Sequence, residues 1–296
     1  MTSDNHVAAS TGRNVSCAHC SACDYYLGQM RFSRLNNIKS VLQKGLQAFS
    51  RRHGSAGAAP RIYPGQFQTY NYTLPDRYPW LFQFAQESLA KSADPHLLSF
   101  GCSRGDEVFA LRRYFPTAVI KGIDIDPDNI WHCQSRVPAE LQQNIKFATA
   151  PNLEAESDGS FDAVFCLAVL CRGDLTAGNA QFSSPSFLFE HFAIIVADLA
   201  RCVKPGGLLF LHTTNFRFCD TATAAQFDTV LEALPSQLAA DVLFDSSNKL
   251  MAGVRYPAVG FRKRYAAGEL SLDVNAMRER LTERGLRYVD QVPEDR

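Results

Sequence analysis

Residues 96–126 read HLLSFGCSRGDEVFALRRYFPTAVIKGIDID, and the order of elements in this stretch decides the fold. His96 to Phe100 is a short apolar run of strand length. Gly101-Cys102-Ser103-Arg104-Gly105 follows, where small residues let the backbone turn sharply and approach a ligand closely. A helix then begins with Asp106 and Glu107 in its first turn, where carboxylates suit the positive end of the helix dipole. Val108, Leu111 and Phe115 recur at i, i+3 and i+7, and Pro116 prevents continuation. Ala118 to Ile125 is a second buried strand, ending among the acids Asp124 and Asp126. The whole is one βαβ unit.

A glycine turn after the first strand, with a carboxylate at the tip of the second, is a layout that grips a nucleoside: backbone lies beside the ligand and the acid meets the ribose hydroxyls. Asp124 lies nineteen positions after Gly105. A dinucleotide fingerprint would need glycine at 101, 103 and 106, and the chain has Gly101, Ser103 and Asp106. Asp106 would also put negative charge where a pyrophosphate sits on the helix N-terminus, whereas a phosphate-free nucleoside would not object.

Outward from this unit the chain keeps alternating. Pro127 suits the first position of a helix that continues through Ile130 to Arg136, and Ile145 to Ala148 is a third strand. Asp158-Gly159-Ser160 turns into a fourth, Phe161-Asp162-Ala163-Val164-Phe165-Cys166-Leu167-Ala168-Val169-Leu170. The helix Phe187 to Val203 aligns Leu188, Phe192, Ile195 and Leu199 on one face, and Lys204-Pro205-Gly206-Gly207 stops it before a fifth strand, Leu208 to His212. Strands alternating with helices imply a doubly wound, mostly parallel sheet with helices on both faces and ligands at the carboxyl ends of the strands.

With these segments in place, the chain resembles the class I S-adenosylmethionine-dependent methyltransferases over roughly residues 95 to 215. The likeness rests on Gly101 to Gly105 with Asp124, on Phe161 to Leu170 and on Val203 to His212, three motifs in the family's order. It implies a seven-stranded Rossmann-like sheet, S-adenosyl-L-methionine as cofactor, and contacts to it from Gly101, Cys102, Ser103, Gly105, Asp124, Ile125 and Leu167. The sequence departs from the family at Ser99, where an acid is common, at Ser103, which replaces a glycine, and at Thr149-Ala150-Pro151, which lacks the aspartate that commonly meets the adenine. The turn also resembles chemotaxis-receptor methyltransferases, over these few residues alone.

The resemblance implies that the carboxyl end of the fourth strand faces the transferred methyl, and the loop after the fifth strand is then within reach of an acceptor. His212 and Asn215 are therefore the candidate catalytic residues, with Arg217 beside them and His191 as a second base. A structural histidine, satisfied within the fold, is the plain alternative for each. The expected activity is methylation, at oxygen or nitrogen, of a small or medium-sized acceptor. Two other readings stay open: an aminopropyl transferase on the same fold, and a nucleoside-binding module without catalysis that recruits a partner.

Composition sets the outer bounds. With 46% hydrophobic and 20% charged residues among 296, the chain can form one large globular domain with extensions. Thirty basic and thirty acidic residues cancel, so no global field points to nucleic acid. No apolar run reaches membrane-spanning length and no signal-peptide core opens the chain. Nine cysteines spread through strands and helices suit reduced thiols, and the chain reads as cytoplasmic.

Residues 1–60 form an N-terminal extension: a polar start, the cluster Cys17, Cys20 and Cys23 with His19, a basic amphipathic helix from Met30 to Arg52, and a linker from Arg51 to Pro60. The cysteines have the local look of a metal ligand set but lack a second pair, and no metal site is assigned. The basic helix suits an anionic membrane surface or an acidic substrate, and equally a solvated helix packed on the catalytic domain. Residues 61–265 are the cofactor-binding domain, entered through an aromatic stretch that includes Tyr63, Phe67, Tyr70, Tyr72, Tyr78, Trp80 and Phe82. These rings can cover a ligand or bury the helix Trp80 to Ala90. Towards the end, Phe227 to Leu234 reads as a helix, Val242 to Met251 and Ala258 to Arg264 as strands. Residues 266–296 add a helix from Val274 to Arg284 and a strand from Leu286 to Val292. Either Val259 to Lys263 or this last segment can supply the final antiparallel strand.

Overall fold

A computed structural model describes residues 66–68, 73–238 and 242–265. The chain divides between residues 59 and 60 into two units, and every described residue belongs to the second. The cysteine cluster, the basic helix, Tyr63, Tyr70, Tyr72 and the elements expected beyond Arg264 lie outside the described residues.

The expected βαβ unit is present. Strand β1 (His96–Phe100) leads through the glycine turn into a helix at Asp106–Tyr114 and then to β2 (Val119–Asp124), paired parallel with β1 from His96↔Val119 to Phe100↔Ile123. With α1 (Pro79–Ser88) ahead of it, this helix is α2. Gly105 caps α2 with φ +85, a left-handed conformation that glycine adopts without strain. At the other end Arg112 ties α2 to the sheet, donating to the carbonyls of Phe115 (3.1 Å), Pro116 (2.7 Å), Ala118 (2.6 Å) and Asn144 (3.1 Å). In α3 (Pro127–Ser135) the N-cap is Asp126, whose carboxylate accepts from Asp128 N at 2.9 Å, with Pro127 in the first turn.

The remaining elements are β3 (Ile145–Thr149), β4 (Phe161–Leu167), a short α4 (Gly173–Ala177), α5 (Phe189–Cys202), β5 (Val203–His212), β6 (Phe227–Glu232) and β7 (Ala258–Lys263). They build one seven-stranded sheet in the order β3-β2-β1-β4-β5-β7-β6. The strands from β3 to β5 are parallel and β7 runs antiparallel between β5 and β6. The doubly wound Rossmann-like expectation holds, in a sheet that is mixed.

Both faces of the sheet are covered. Leu97, Phe165 and Phe210 point to the face that holds α1, α2 and α3, while their neighbours Leu98, Val164 and Leu209 point to the face that holds α5. On the first face Phe165 and Phe210 stack at 4.9 Å, with Phe82 edge-on to Phe165 and Phe84 edge-on to Phe210. On the second, Phe216 is fully buried among Phe187, Phe189, Phe192 and Phe244.

Two expectations are corrected. Residues 227–234 do not form a helix: Phe227 to Glu232 is strand β6. Its pairing with β7 slips between Thr229 and Leu231 and again before Glu232, so the adjacent residues Val230 and Leu231 are both buried. Such irregularities break the period of two and leave Phe227, Val230 and Leu231 at helical spacing. Residues 242–251 do not form a strand either. Phe244 makes only isolated bridges to Phe216 and Leu250, around a turn in which Asp245 Oδ1 accepts from Ser247 N, Ser247 Oγ and Lys249 N. The antiparallel strand is the segment around Val259 to Lys263, and Gly260 permits it, because a Cβ there would stand 2.8 Å from Leu231 Cβ.

Candidate cofactor-binding cleft

A cleft of about 930 Å³, open to solvent, lies at the carboxyl ends of β1, β2 and β4. Its floor is the turn Gly101-Cys102-Ser103, one wall is Asp124 and Ile125 at the end of β2, and the other is Leu167, Ala168 and Val169 at the end of β4. Six of the seven residues singled out for the cofactor line it together. Gly105 does not; it sits one step behind, capping α2 and packed against Cys133 and Phe109.

The turn is held from within. Gly101 N and Cys102 N both donate to Ile123 O, at 2.7 and 3.0 Å, and Gly105 N donates to Cys102 O at 2.9 Å. Ser103 N donates to Asp124 Oδ2 at 2.7 Å. Ser103 thereby takes up a left-handed backbone, φ +48, without being glycine. A phosphate-cradling loop presents such amides to its ligand; here these four are engaged with protein acceptors. Asp124, buried at the lip of β2, also accepts from Asp126 N (2.9 Å) and Asn129 Nδ2 (3.1 Å) through Oδ1. Three donors fix the carboxylate at the edge of the cleft, and Oδ2, which accepts one of them, retains capacity to accept from a ribose hydroxyl.

Sequence reasoning missed the second carboxylate of the cleft. Glu107, on the first turn of α2, reaches back to β1, where Ser99 Oγ donates to Glu107 Oε1 at 2.8 Å. Burial pushes its carboxyl up to about 7, against the smaller opposing effects of the Ser99 hydrogen bond and the nearby Arg77 charge. Arg77 itself lines the cleft. No periodic signal marks this group; only the fold brings the first turn of α2 onto a serine of β1.

The aromatic stretch divides between its two expected roles. Phe67, Tyr78 and Phe82 line the cleft, while Trp80 and Phe82 also pack on the core. Phe67 lies against Phe187 at 5.1 Å, and Gln68 Nε2 donates to Cys171 Sγ at 3.2 Å, which seats residues 66–68 over the β4 side. Ala150 and Pro151 line the third side, so the position without the family's aspartate is apolar.

The candidate catalytic residues are placed elsewhere. His212 is 5% exposed and does not line the cleft; it faces a second hollow of about 500 Å³ beside Tyr256 and Val259. Its Nε2 lies 3.0 Å from Gln237 O and its Nδ1 2.8 Å from Thr213 Oγ1. The carbonyl can only accept, so Nε2 carries the proton and Nδ1 accepts from the hydroxyl. Tyr78 and Trp80 pack edge-on against the ring. Burial lowers its pKa to about 4, so the ring is neutral with both nitrogens committed. Asn215, fully buried, is a strut: Oδ1 accepts from Arg172 N at 2.6 Å and Nδ2 donates to Val242 O at 2.9 Å. Arg217 forks onto Asp220 at 2.6 and 2.8 Å, and His191 is exposed on α5. Neither His212 nor Asn215 lines the cleft, and the hydrogen bonds of both are made within the fold.

Comparison with known proteins agrees with this architecture. Residues 98–209 match a family model described as a methyltransferase domain, a span that runs from β1 into β5. No curated protein matches the chain. Among solved structures it is similar to one described as a sarcosine dimethylglycine methyltransferase from Galdieria sulphuraria (20% identity, 44% of this chain and 44% of that one, TM-score 0.33). It is also similar to geranyl diphosphate C-methyltransferase from Streptomyces coelicolor A3(2) (14%, 44% and 43%, TM-score 0.32) and to an arsenic(III) S-adenosylmethionine methyltransferase from Chlamydomonas reinhardtii (18%, 39% and 37%, TM-score 0.30). The chain thus spans less than half the length of each of these structures. The strand order is Rossmann-like, and residues 98–209 within it are similar to a methyltransferase domain.

Among the described residues no helix is long and apolar enough to cross a membrane, and no group of three or more His, Cys, Asp or Glu is placed to hold a metal ion.

Proposed function

We propose that this chain is an S-adenosylmethionine-dependent methyltransferase that methylates oxygen or nitrogen of a small or medium-sized acceptor. The observation that carries the reading is the turn at Gly101 to Gly105: four of its amides are engaged internally, and Asp124 stands over it, a combination suited to a nucleoside without phosphate. When bound, the cofactor supplies a methyl group on a sulfonium, already electrophilic, so the protein's work is alignment and exclusion of water. Asp124 would hold the ribose, Ala150 and Pro151 would flank the base, and Leu167 to Val169 would border the sulfur side.

The acceptor would enter between the β4 lip and residues 66–68 and 73–78. Phe67, Leu74 and Val169 give that passage an apolar wall, with Gln66 and Gln68 as hydrogen-bonding groups. Arg77 at the same wall disfavours a polyamine, which sets the aminopropyl transferase reading behind methylation. The six described cysteines form no disulfide with one another and five of them are buried, which suits action in the cytoplasm.

Calorimetric titration of the full chain with S-adenosylmethionine, S-adenosylhomocysteine and NAD tests the cofactor, followed by transfer of labelled methyl to a panel of alcohols, phenols and amines. Binding of the two sulfur nucleosides but not NAD, with transfer to one acceptor class, supports the reading. Binding without transfer to any acceptor favours the recruiting module, and binding of NAD alone overturns the cofactor assignment.

A further inference from the structure

We propose that Glu107 binds the ammonium group at the amino-acid end of the cofactor in its ionised form, so that cofactor binding expels a proton from the cleft to solvent. The inference rests on the cofactor reading above and adds a binding residue and a pH dependence to it.

The geometry comes first. Glu107 lines the cleft from the first turn of α2, beside the Gly101 turn and across from the β4 lip. One of its oxygens is fixed by Ser99 Oγ. Ser99 is fully buried on β1, so this anchor does not depend on solvent. Asp124, the other acid of the cleft, is already held by three N–H donors, whereas Glu107 receives one hydrogen bond from a neutral hydroxyl. A carboxylate half-buried in the cleft wall with so little compensation favours its protonated form, and a cation placed against it reverses that preference.

The groups that face Glu107 can be named. Arg77 and Tyr78 approach from the segment just before α1, Ser99 from β1, Cys102 from the turn and Cys166 from β4. Of these, Arg77 is the cation, and it favours the ionised acid without overcoming burial. Burial raises the thiols of Cys102 and Cys166 and the phenol of Tyr78, so they are neutral near pH 7. The carboxyl of Glu107, pushed up to about 7, is therefore the group that changes charge in the range where the protein would be assayed. Arg77, on the same wall, is suited to the carboxylate of the same amino-acid end.

Two nucleosides separate the effect from the rest of the site. S-adenosylhomocysteine carries the amino-acid end and 5′-deoxy-5′-methylthioadenosine does not. Titrations of the full chain at pH 6.0, 7.0 and 7.5, each in buffers of different ionisation enthalpy, count the protons released. For an acid titrating near 7, S-adenosylhomocysteine should release roughly half a proton at pH 7 and bind roughly eightfold more weakly at pH 6.0 than at pH 7.5. The truncated nucleoside should release none and bind equally at all three. Glu107→Gln should abolish both the proton release and the pH dependence for S-adenosylhomocysteine while leaving the truncated nucleoside unchanged. Equal pH dependence for both ligands, or proton release that survives in Glu107→Gln, overturns the assignment with the cofactor reading intact. Failure of both nucleosides to bind the intact chain overturns the cofactor reading, and this inference with it.

Discussion

Ser99 Oγ donates to Glu107 Oε1 over 2.8 Å, joining strand β1 near its carboxyl end to the first turn of the helix that follows it. The pair puts a carboxyl in the cleft wall at a cost to the empty protein. The folded protein binds the Glu107 proton more tightly than the unfolded chain, whose carboxyl titrates near its ordinary value of 4.5. Its favourable contribution is thus present at and below that value and is lost as pH rises towards 7. Glu107→Gln keeps an oxygen for Ser99 and removes the charge. In urea titrations without ligand the variant should match wild type at pH 4.5 and exceed it at pH 8 by on the order of 2–3 kcal/mol. Equal stability at pH 8 would show that the carboxyl is not destabilised by its site.

The opposite sign applies to His212. Burial holds its pKa down at about 4 against an ordinary 6.5, so the folded state resists the proton that the unfolded chain accepts. The stability this provides is present above 6.5 and lost as pH falls towards 4, on the order of 3 kcal/mol in all. His212→Asn should be less stable than wild type at pH 7, and the gap should narrow by about that amount by pH 4. Methyl transfer, once an acceptor is found, should keep its pH profile in the variant, because neither ring nitrogen faces the cleft. A displaced profile would return His212 to a role in the chemistry.

These two residues mark what the sequence can and cannot disclose. The βαβ unit, the fourth and fifth strands and the floor of the cleft were legible, because each is carried by local signals: apolar period, glycine turns, a proline after a helix. His212 was read by residue type and by its place at the end of β5, and both hold. What it bonds depends on Gln237, twenty-five residues away, and on rings from α1. Glu107 was read as a helix-dipole residue, which it also is; its place in the cleft depends on Ser99 and on how α2 packs. β6 was misread because slips in its pairing with β7 put two neighbouring side chains in the core. Long-range pairing of that kind leaves no period in a single chain.

Asp124 is both a candidate ribose ligand and a structural acceptor, so its substitution should act on both. In Asp124→Asn one amide oxygen can serve Asp126 N and Asn129 Nδ2 only by turning the amide NH2 towards Ser103 N, where two donors then meet. Loss of a charge-assisted bond of this kind costs about 1.5–3 kcal/mol. The variant should therefore lose stability by that amount without ligand and bind S-adenosylhomocysteine more weakly. Asn129→Ala, which removes one donor behind the carboxylate, should cost about 1 kcal/mol with a smaller effect on binding. Full stability in Asp124→Asn would mean that the turn is held by Ile123 O and Cys102 O without help from the carboxylate.

Gly101 sits where the glycine turn meets the exit of β4. Its φ is +72, and a Cβ there would overlap Val169 Cγ2 and lie 3.0 Å from Cγ1. Gly101→Ala therefore carries two separate penalties: a left-handed backbone, about 1–2 kcal/mol for a residue with a Cβ, and steric overlap across the cleft floor. Val169→Ala removes the overlapping methyl groups but not the backbone strain. The double variant Gly101→Ala/Val169→Ala should recover part of the stability lost in Gly101→Ala and retain a deficit of about 1–2 kcal/mol relative to Val169→Ala alone. Strict additivity of the two substitutions in urea titrations would show that the turn and β4 do not share this contact, and that the floor of the cleft is more open than the structure has it.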